Sequence, residues 1–202
     1  YCLYIMNKLI ILLLIYFIFI QINLLSLLNN SYDTNNSYDT NKKQFFVSTH
    51  DYNHIDLLIL INEFIKNKTK ITIVAANEIG NYILYYYLRF IGIFHIDFLF
   101  VTENTVDKIV NLFNKNENVL IYLSRKNKGK GIYHVVKQIN VPITLCKIQS
   151  NHPPTNFNDN ESIYNIFTKN INKEYSLSYE NYNTDTNQSS DSFMNDIKNK
   201  LY

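Results

Sequence analysis

The chain has 202 residues, a formal net charge of +2 and 47% hydrophobic residues, which suits one globular domain with appendages. A charge so close to zero gives no reason to expect a nucleic-acid partner. Of the two cysteines, Cys2 lies near the start and Cys146 lies in an apolar run, so neither a disulfide framework nor a cysteine metal site is expected.

Residues 1–28 are predominantly apolar, with a run that begins at Leu9 and continues through two polar interruptions to Leu28. The run is about long enough to cross a hydrocarbon core of ~30 Å. Lys8 before the run also fits a signal peptide, but no pattern of small residues marks a cleavage site. We therefore expect a transmembrane anchor in a single-pass membrane protein, with a signal segment as the alternative. The endoplasmic reticulum is one expected location.

Residues 29–44 contain a tandem hexapeptide, in which Asn-Ser-Tyr-Asp-Thr-Asn occupies 30–35 and again 36–41. The repeat is polar and has neither a helical nor a strand period. This composition predicts a flexible linker.

Residues 45–150 carry the patterns of a folded domain. Apolar and β-branched runs predict strands at Phe45–Thr49, Ile71–Ala76, Gly92–Phe100, Val119–Leu123 and Pro142–Ile148. Helical patterns lie between them, at Asp56–Lys66, Gly80–Ile91, Thr105–Asn114 and Ile132–Ile139. Because strands and helices alternate, we expect an α/β fold with a mostly parallel sheet flanked by helices.

Residues 151–202 are rich in Asn, Asp, Ser and Tyr. Such a composition predicts a polar, mostly disordered tail. One weakly amphipathic piece near Phe193–Leu201 predicts a short helix at its end.

The candidate chemistry lies where the first predicted strand ends. His50 follows Phe45–Thr49, and Asp56 stands at the predicted start of the next helix. A carboxylate beside an imidazole fixes the ring tautomer and stabilises the imidazolium, so such a pair can take a proton from a hydroxyl. Asp51 is an alternative partner and His54 an alternative base, and an ordinary polar loop is the plain structural interpretation.

Four segments in this order resemble the glycerolipid acyltransferase superfamily, the PlsC-like, lysophosphatidic-acid-acyltransferase type. His50 and Asp56 are similar to that family's His-x4-Asp block. Val74–Gly80 with the stretch that continues to Asp97 resembles its "AKKEL…GxxxRxxGxIFIDR" region. Val119–Arg125 with Lys130-Gly131 occupies the place of its "FPEGTRS…KxG" block, and Asn140–Ile143 is similar to its "xVPIVPV" strand.

The resemblance covers about half the chain and departs from the family at several positions. Five residues separate His50 from Asp56, where the family has four. Phe98 stands where the family's arginine would follow Asp97. Leu123-Ser124-Arg125-Lys126 replaces the Glu-Gly-Thr-Arg core.

The resemblance implies acyl transfer from acyl-CoA to the hydroxyl of a glycerol phosphate or a lysophospholipid at a membrane bilayer, in phospholipid biosynthesis or remodelling. His50 would be the general base, and Asp56 would orient it. The acceptor's phosphate would be held by a basic segment between a strand and a helix, which contains Arg125, Lys126, Lys128 and Gly131.

Acyl-CoA is then a co-substrate, and no cofactor is implied. No metal site is expected, because His95, His134 and His152 have no partners at ligand spacing. The alternative function is a catalytically inactive acyltransferase-like protein that binds lipid or a partner. A secreted α/β domain of unrelated function, with residues 6–28 removed, is a third hypothesis.

Overall fold

The computed structural model describes residues 32–51, 55–75, 95–123, 130–153, 173–184 and 187–202. Its strands are β1 (Tyr32–Asn35), β2 (Phe45–Thr49), β3 (Ile71–Ala75), β4 (Ile96–Phe100), β5 (Asn118–Leu123), β6 (Ile143–Ser150) and β7 (Tyr175–Tyr182). Its helices are α1 (Ile55–Lys66), α2 (Thr105–Asn114), α3 (Lys130–Ile139) and α4 (Ser190–Leu201). These bounds agree closely with the strands and helices predicted within 45–150, except that β4 begins at Ile96. The helix predicted at 80–91 lies outside the described residues.

Within the described residues the strands form one seven-stranded sheet in the order β1-β7-β6-β2-β5-β3-β4. The strand β2 lies between β5 and β6 and is parallel to both. The strands β3 and β4 continue the parallel part beyond β5, whereas β7 is antiparallel to β6 and parallel to β1. The α/β fold with a mostly parallel sheet flanked by helices is therefore confirmed.

The sheet buries side chains on both faces, because successive residues of a strand point to opposite sides. In β2, Phe46 packs in a cluster with α1, whereas Phe45 and Val47 pack in a cluster with α2, α3 and α4. The strand β5 follows the same rule, with Leu120 on the α1 side and Val119 on the other. Near-continuous apolar strands of this kind are typical of parallel sheets that are covered by helices.

Helix α1 is buried on all sides from Ile55 to Phe64, as expected for a helix that is apolar around most of its circumference. One of its buried polar side chains, Glu63, accepts a hydrogen bond from the amide of Asn67 at 2.7 Å and lies 3.5 Å from the hydroxyl of Thr34. Another, Asp56, lies in the first turn. The helix thus brings a fully buried carboxylate to its own amino end.

The amino edge of the sheet is the edge where β2, β5 and β6 begin. The backbone N–H of Gln44 donates to Asn118 Oδ1 at 2.8 Å, and Asn118 Nδ2 donates to the carbonyl of Lys70 at 2.8 Å. The hydroxyl of Thr144 donates to Gln44 Oε1. The starts of four strands, β2, β3, β5 and β6, are joined in this way by side chains that bond to one another and to the backbone.

The prediction of a flexible linker at 29–44 is wrong for residues 32–44, which the structure describes. Residues 32–35 form β1 in register with β7. Tyr38 is buried, with its ring centroid 5.1 Å from that of Phe46 and 4.9 Å from that of Tyr179, and its hydroxyl lies 2.8 Å from Thr69 Oγ1. The repeat therefore contributes an edge strand and a core residue.

The prediction of a mostly disordered tail at 151–202 is also wrong for the part of this range that the structure describes. The strand β7 pairs with β6 along its whole length. The short helix expected near Phe193–Leu201 is present as α4, and it buries Phe193, Met194, Ile197 and Leu201 against the sheet face opposite α1. The domain therefore extends beyond residue 150 because alternate tyrosine and leucine side chains of β7 supply core surface.

The anchor predicted in residues 1–28 lies outside the described residues. Among the helices that the structure does describe, none is both long enough and apolar enough to cross a bilayer.

Candidate functional site

The candidate site lies at the carboxyl edge of the sheet, where β2, β3 and β5 end. Because these strands are parallel, their last residues lie side by side, with Thr49 of β2 in register with Leu123 of β5. His50 follows β2 directly and Asp56 lies in the first turn of α1. The carboxyl edge of an open parallel sheet is where α/β proteins usually bind ligands.

The structure brings His50 and Asp56 together. Nδ1 of His50 is 3.5 Å from Oδ2 of Asp56. The Asp56 side chain is 0% exposed, while the His50 side chain is 23% exposed and so can be reached from solvent. The separation exceeds the usual 2.7–3.2 Å of a hydrogen bond, as is common for catalytic pairs without substrate.

The segment between His50 and Asp56 is one residue longer than in the family's block, but the two side chains still lie together. Two structural elements fix the two ends of the segment, since His50 is tied to the end of β2 and Asp56 to the start of α1. The amino end of a helix favours a negative charge, which is consistent with a carboxylate at this buried position. Asp51, the alternative partner, is half-buried beside His50. His54, the alternative base, lies outside the described residues.

Two further side chains on the α1 face of the sheet, Tyr122 and Cys146, have raised pKa values. Burial, together with the charge of Asp56, raises the pKa of the Tyr122 phenol well above its usual value. Burial also raises the pKa of the Cys146 thiol well above its usual value, so that Cys146 is not a thiolate nucleophile near neutral pH. The pair is therefore an imidazole and a buried carboxylate, with the neutral Tyr122 phenol against the imidazole and Asp51 next to it in the chain.

Tyr122 was missed by the sequence reasoning. Its ring centroid is 5.3 Å from that of His50, with an interplanar angle of 48°. The only sequence signal was its place two residues after Leu120 on the buried face of β5. Its distance from His50 depends on the register of β2 with β5, which pairs Ser48 with Tyr122.

The residues predicted to bind the acceptor's phosphate are only partly described. Arg125, Lys126 and Lys128 lie outside the described residues. Gly131 is exposed in the first turn of α3, and a Cβ added there would meet nothing within 4 Å, so no close contact requires a glycine. Its neighbour Lys130 lies 3.5 Å from Asp191 of α4.

The described segments contain three other histidines. His95 precedes β4, and His134 and His152 are exposed on α3 and after β6. In the described segments no group of three or more His, Cys, Asp or Glu side chains is arranged to hold a metal ion.

A comparison with models of known protein families finds no match to this chain, and a search of curated proteins finds none either. The acyltransferase resemblance therefore depends on the sequence segments given above.

Proposed function

We propose that this protein is a membrane-associated acyltransferase, which moves an acyl group from acyl-CoA to the hydroxyl of a glycerol phosphate or a lysophospholipid. The single observation that supports this most is the approach of His50 to Asp56 at the carboxyl edge, despite the longer spacing between them. A partly exposed imidazole backed by a buried carboxylate suits a general base that acts on a hydroxyl.

In the proposed reaction Asp56 faces Nδ1 of His50, so Nε2 would be the atom that accepts the proton of the acceptor hydroxyl. The hydroxyl oxygen attacks the thioester carbonyl, and the carbon–sulfur bond breaks. The leaving thiolate of CoA then takes the proton from His50. Asp56 stabilises the imidazolium between the two proton transfers, and a base placed in this way contributes ~10²–10⁴-fold in rate.

The acyltransferase-like fold, the N-terminal anchor and the basic segment from Arg125 to Gly131 belong to the same proposal. An anchor before the site would keep the protein at the bilayer surface, where lysophospholipids and their products reside. The basic segment would hold the acceptor's phosphate by charge-assisted hydrogen bonds.

The test is the transfer of labelled acyl groups from acyl-CoA to lysophosphatidic acid and to glycerol 3-phosphate, in membranes that contain the full chain. We expect a labelled lipid product that is lost in His50→Ala and kept in His134→Ala, because His134 is an exposed histidine on α3. Equal product from both variants would exclude His50 as the base. If the wild-type protein gives no product with either acceptor, the catalytically inactive lipid-binding alternative takes its place.

A further inference from the structure

Tyr122 is the residue whose ring lies against the imidazole of the proposed base, His50. It points to the α1 face from β5, in register with Ser48 of β2. Ser48 is in turn in register with Cys146 of β6, and its hydroxyl donates to the Cys146 carbonyl at 3.1 Å. Ser48 is small, so the bulky neighbour of His50 on this face of the two strands is the Tyr122 ring, at a centroid distance of 5.3 Å.

The hydroxyl of Tyr122 does not explain the presence of this residue. Its Oη is buried and has no hydrogen-bond partner among the residues that the structure describes. Burying a polar group without a partner costs stability. At the site the structure gives Tyr122 a contact between its ring and the His50 ring, and an unfavourable influence of the Asp56 charge on the ionised phenol.

Two contacts can fix the orientation of an imidazole if one holds a ring nitrogen and the other covers a ring face. Asp56 lies opposite Nδ1, and the tilted Tyr122 ring lies against the imidazole ring. Small misplacements of a catalytic group are costly, since a displacement of ~1 Å can lower a rate by ~10²-fold.

We propose that Tyr122 is a positioning residue, whose aromatic ring holds the His50 imidazole in the orientation that turns Nδ1 toward Asp56. The ring performs this role, and the hydroxyl is dispensable. The kinetic part of this inference rests on the proposed acyl transfer.

The experiment compares Tyr122→Phe, which keeps the ring, with Tyr122→Leu and Tyr122→Met, which remove it. We expect kcat for acyl transfer to fall roughly 10- to 100-fold in the Leu and Met variants, with KM nearly unchanged. The Phe variant should keep the wild-type kcat. Met is included because its flexible side chain fills irregular space and keeps the variant folded if Leu leaves too large a cavity.

A second readout does not depend on any acyl transfer. The rate at which diethylpyrocarbonate modifies His50 is measured by peptide mass spectrometry, with His95 as an internal monitor of general loosening. We expect the rate at His50 to rise several-fold in the Leu and Met variants and to stay at the wild-type level in Phe, while His95 does not change.

The two readouts separate the failure of this inference from the failure of the proposed function. The wild-type protein could transfer no acyl group while diethylpyrocarbonate still modifies His50 faster in the Leu and Met variants. That result would support the positioning role and would exclude the proposed reaction. The inference is overturned if kcat and the modification rate at His50 are the same in Leu and Met as in the wild type. It is also overturned if Phe is as impaired as Leu, because the hydroxyl would then carry the role.

Discussion

At the amino edge of the sheet the side chains of Gln44, Asn118 and Thr144 bond to one another and to the backbone, whereas at the carboxyl edge two buried hydroxyls are left without this support. Thr49 Oγ1 and Tyr122 Oη have no hydrogen-bond partner among the described residues. Among the described residues, the hydrogen bonds that link strand starts therefore lie at the amino edge, whereas the proposed catalytic pair lies at the carboxyl edge.

If the proposed function holds, the residues that join the strand starts and the residues that carry the chemistry lie at opposite ends of the same parallel strands. We then expect changes at the carboxyl edge to alter activity more than stability, and changes at the amino edge to do the reverse.

The largest expected effect is on catalysis and comes from Asp56→Asn. The substitution keeps the size of the side chain but removes the charge that stabilises the His50 imidazolium, so kcat should fall ~10²–10⁴-fold. The free energy of unfolding should fall only by about 1 kcal/mol, because the amide keeps the size of the side chain but loses the negative charge that the amino end of α1 favours. Acyl-transfer kinetics and urea denaturation measure the two quantities. If activity falls only in proportion to the loss of folded protein, Asp56 contributes to stability and not to catalysis.

At the amino edge, Asn118→Ala should do the opposite. It removes both the acceptor for the Gln44 N–H and the donor to the Lys70 carbonyl, so the free energy of unfolding should fall by about 1–3 kcal/mol. Activity per folded molecule should not change. The matched control is Asn111→Ala on the exposed face of α2, which should stay within about 0.5 kcal/mol of the wild type in the same urea titration. Equal losses in the two variants would mean that the amino-edge bonds contribute nothing.

A matched pair of threonines tests the two edges with the same substitution. Thr144 and Thr49 are both 1% exposed, but only Thr144 has a hydrogen bond among the described residues. Thr144→Val should therefore destabilise the protein by about 1 kcal/mol or more, whereas Thr49→Val should be neutral or stabilising. Thermal or urea unfolding measures both. The comparison would fail if Thr49→Val were the more damaging of the two.

The smallest effect is a dependence of stability on alkaline pH. The pKa of Cys146 is raised in the folded protein above its usual value of 9.0, so the folded protein keeps this proton after the unfolded chain has lost it. This contribution is fully present below pH 9.0 and decreases as the pH rises above it, by at most about 1.4 kcal/mol per pH unit. Between pH 8 and pH 10, Cys146→Ala should lose less stability than the wild type. Equal slopes in urea titrations would contradict the assignment.

The central part of the fold was predictable because its local patterns agree with its tertiary environment. The apolar runs at Phe45–Thr49 and Ile71–Ala75 have the composition of buried parallel strands, and both were expected close to where they lie. The amphipathic pattern of Thr105–Asn114 predicts a helix whose bounds are those found in the structure. Where period, length and composition agree, sequence alone is informative.

The tandem repeat shows where local sequence stops being informative. Tyr32 and Tyr38 occupy the same place in two identical hexapeptides, yet the first copy provides the edge strand β1 and the second puts its tyrosine into the core. The difference arises from the partners that each copy meets, β7 for the first and the rings of Phe46 and Tyr179 for the second. Tertiary context of this kind overrides propensity.

The prediction of disorder for residues 151–202 failed for a related reason. The polar composition of the segment favoured disorder, although the segment contains the strand β7. In β7, Tyr175, Leu177 and Tyr179 alternate with serines, which is the period of a half-buried strand. At the candidate site, His50 and Asp56 were identifiable because their residue types and positions indicate a base and its partner. Tyr122 was not, because its contact with His50 depends on a strand register that the sequence does not state.

The central claim is that His50 and Asp56 act as one catalytic unit, and a double-mutant cycle tests it most directly. We would measure kcat/KM for acyl transfer from acyl-CoA in the wild type, His50→Ala, Asp56→Asn and the double variant. If Asp56 acts only through His50, the double variant should be no less active than His50→Ala alone. Losses that simply multiply in the double variant would show that the two residues act independently, and this would contradict the account.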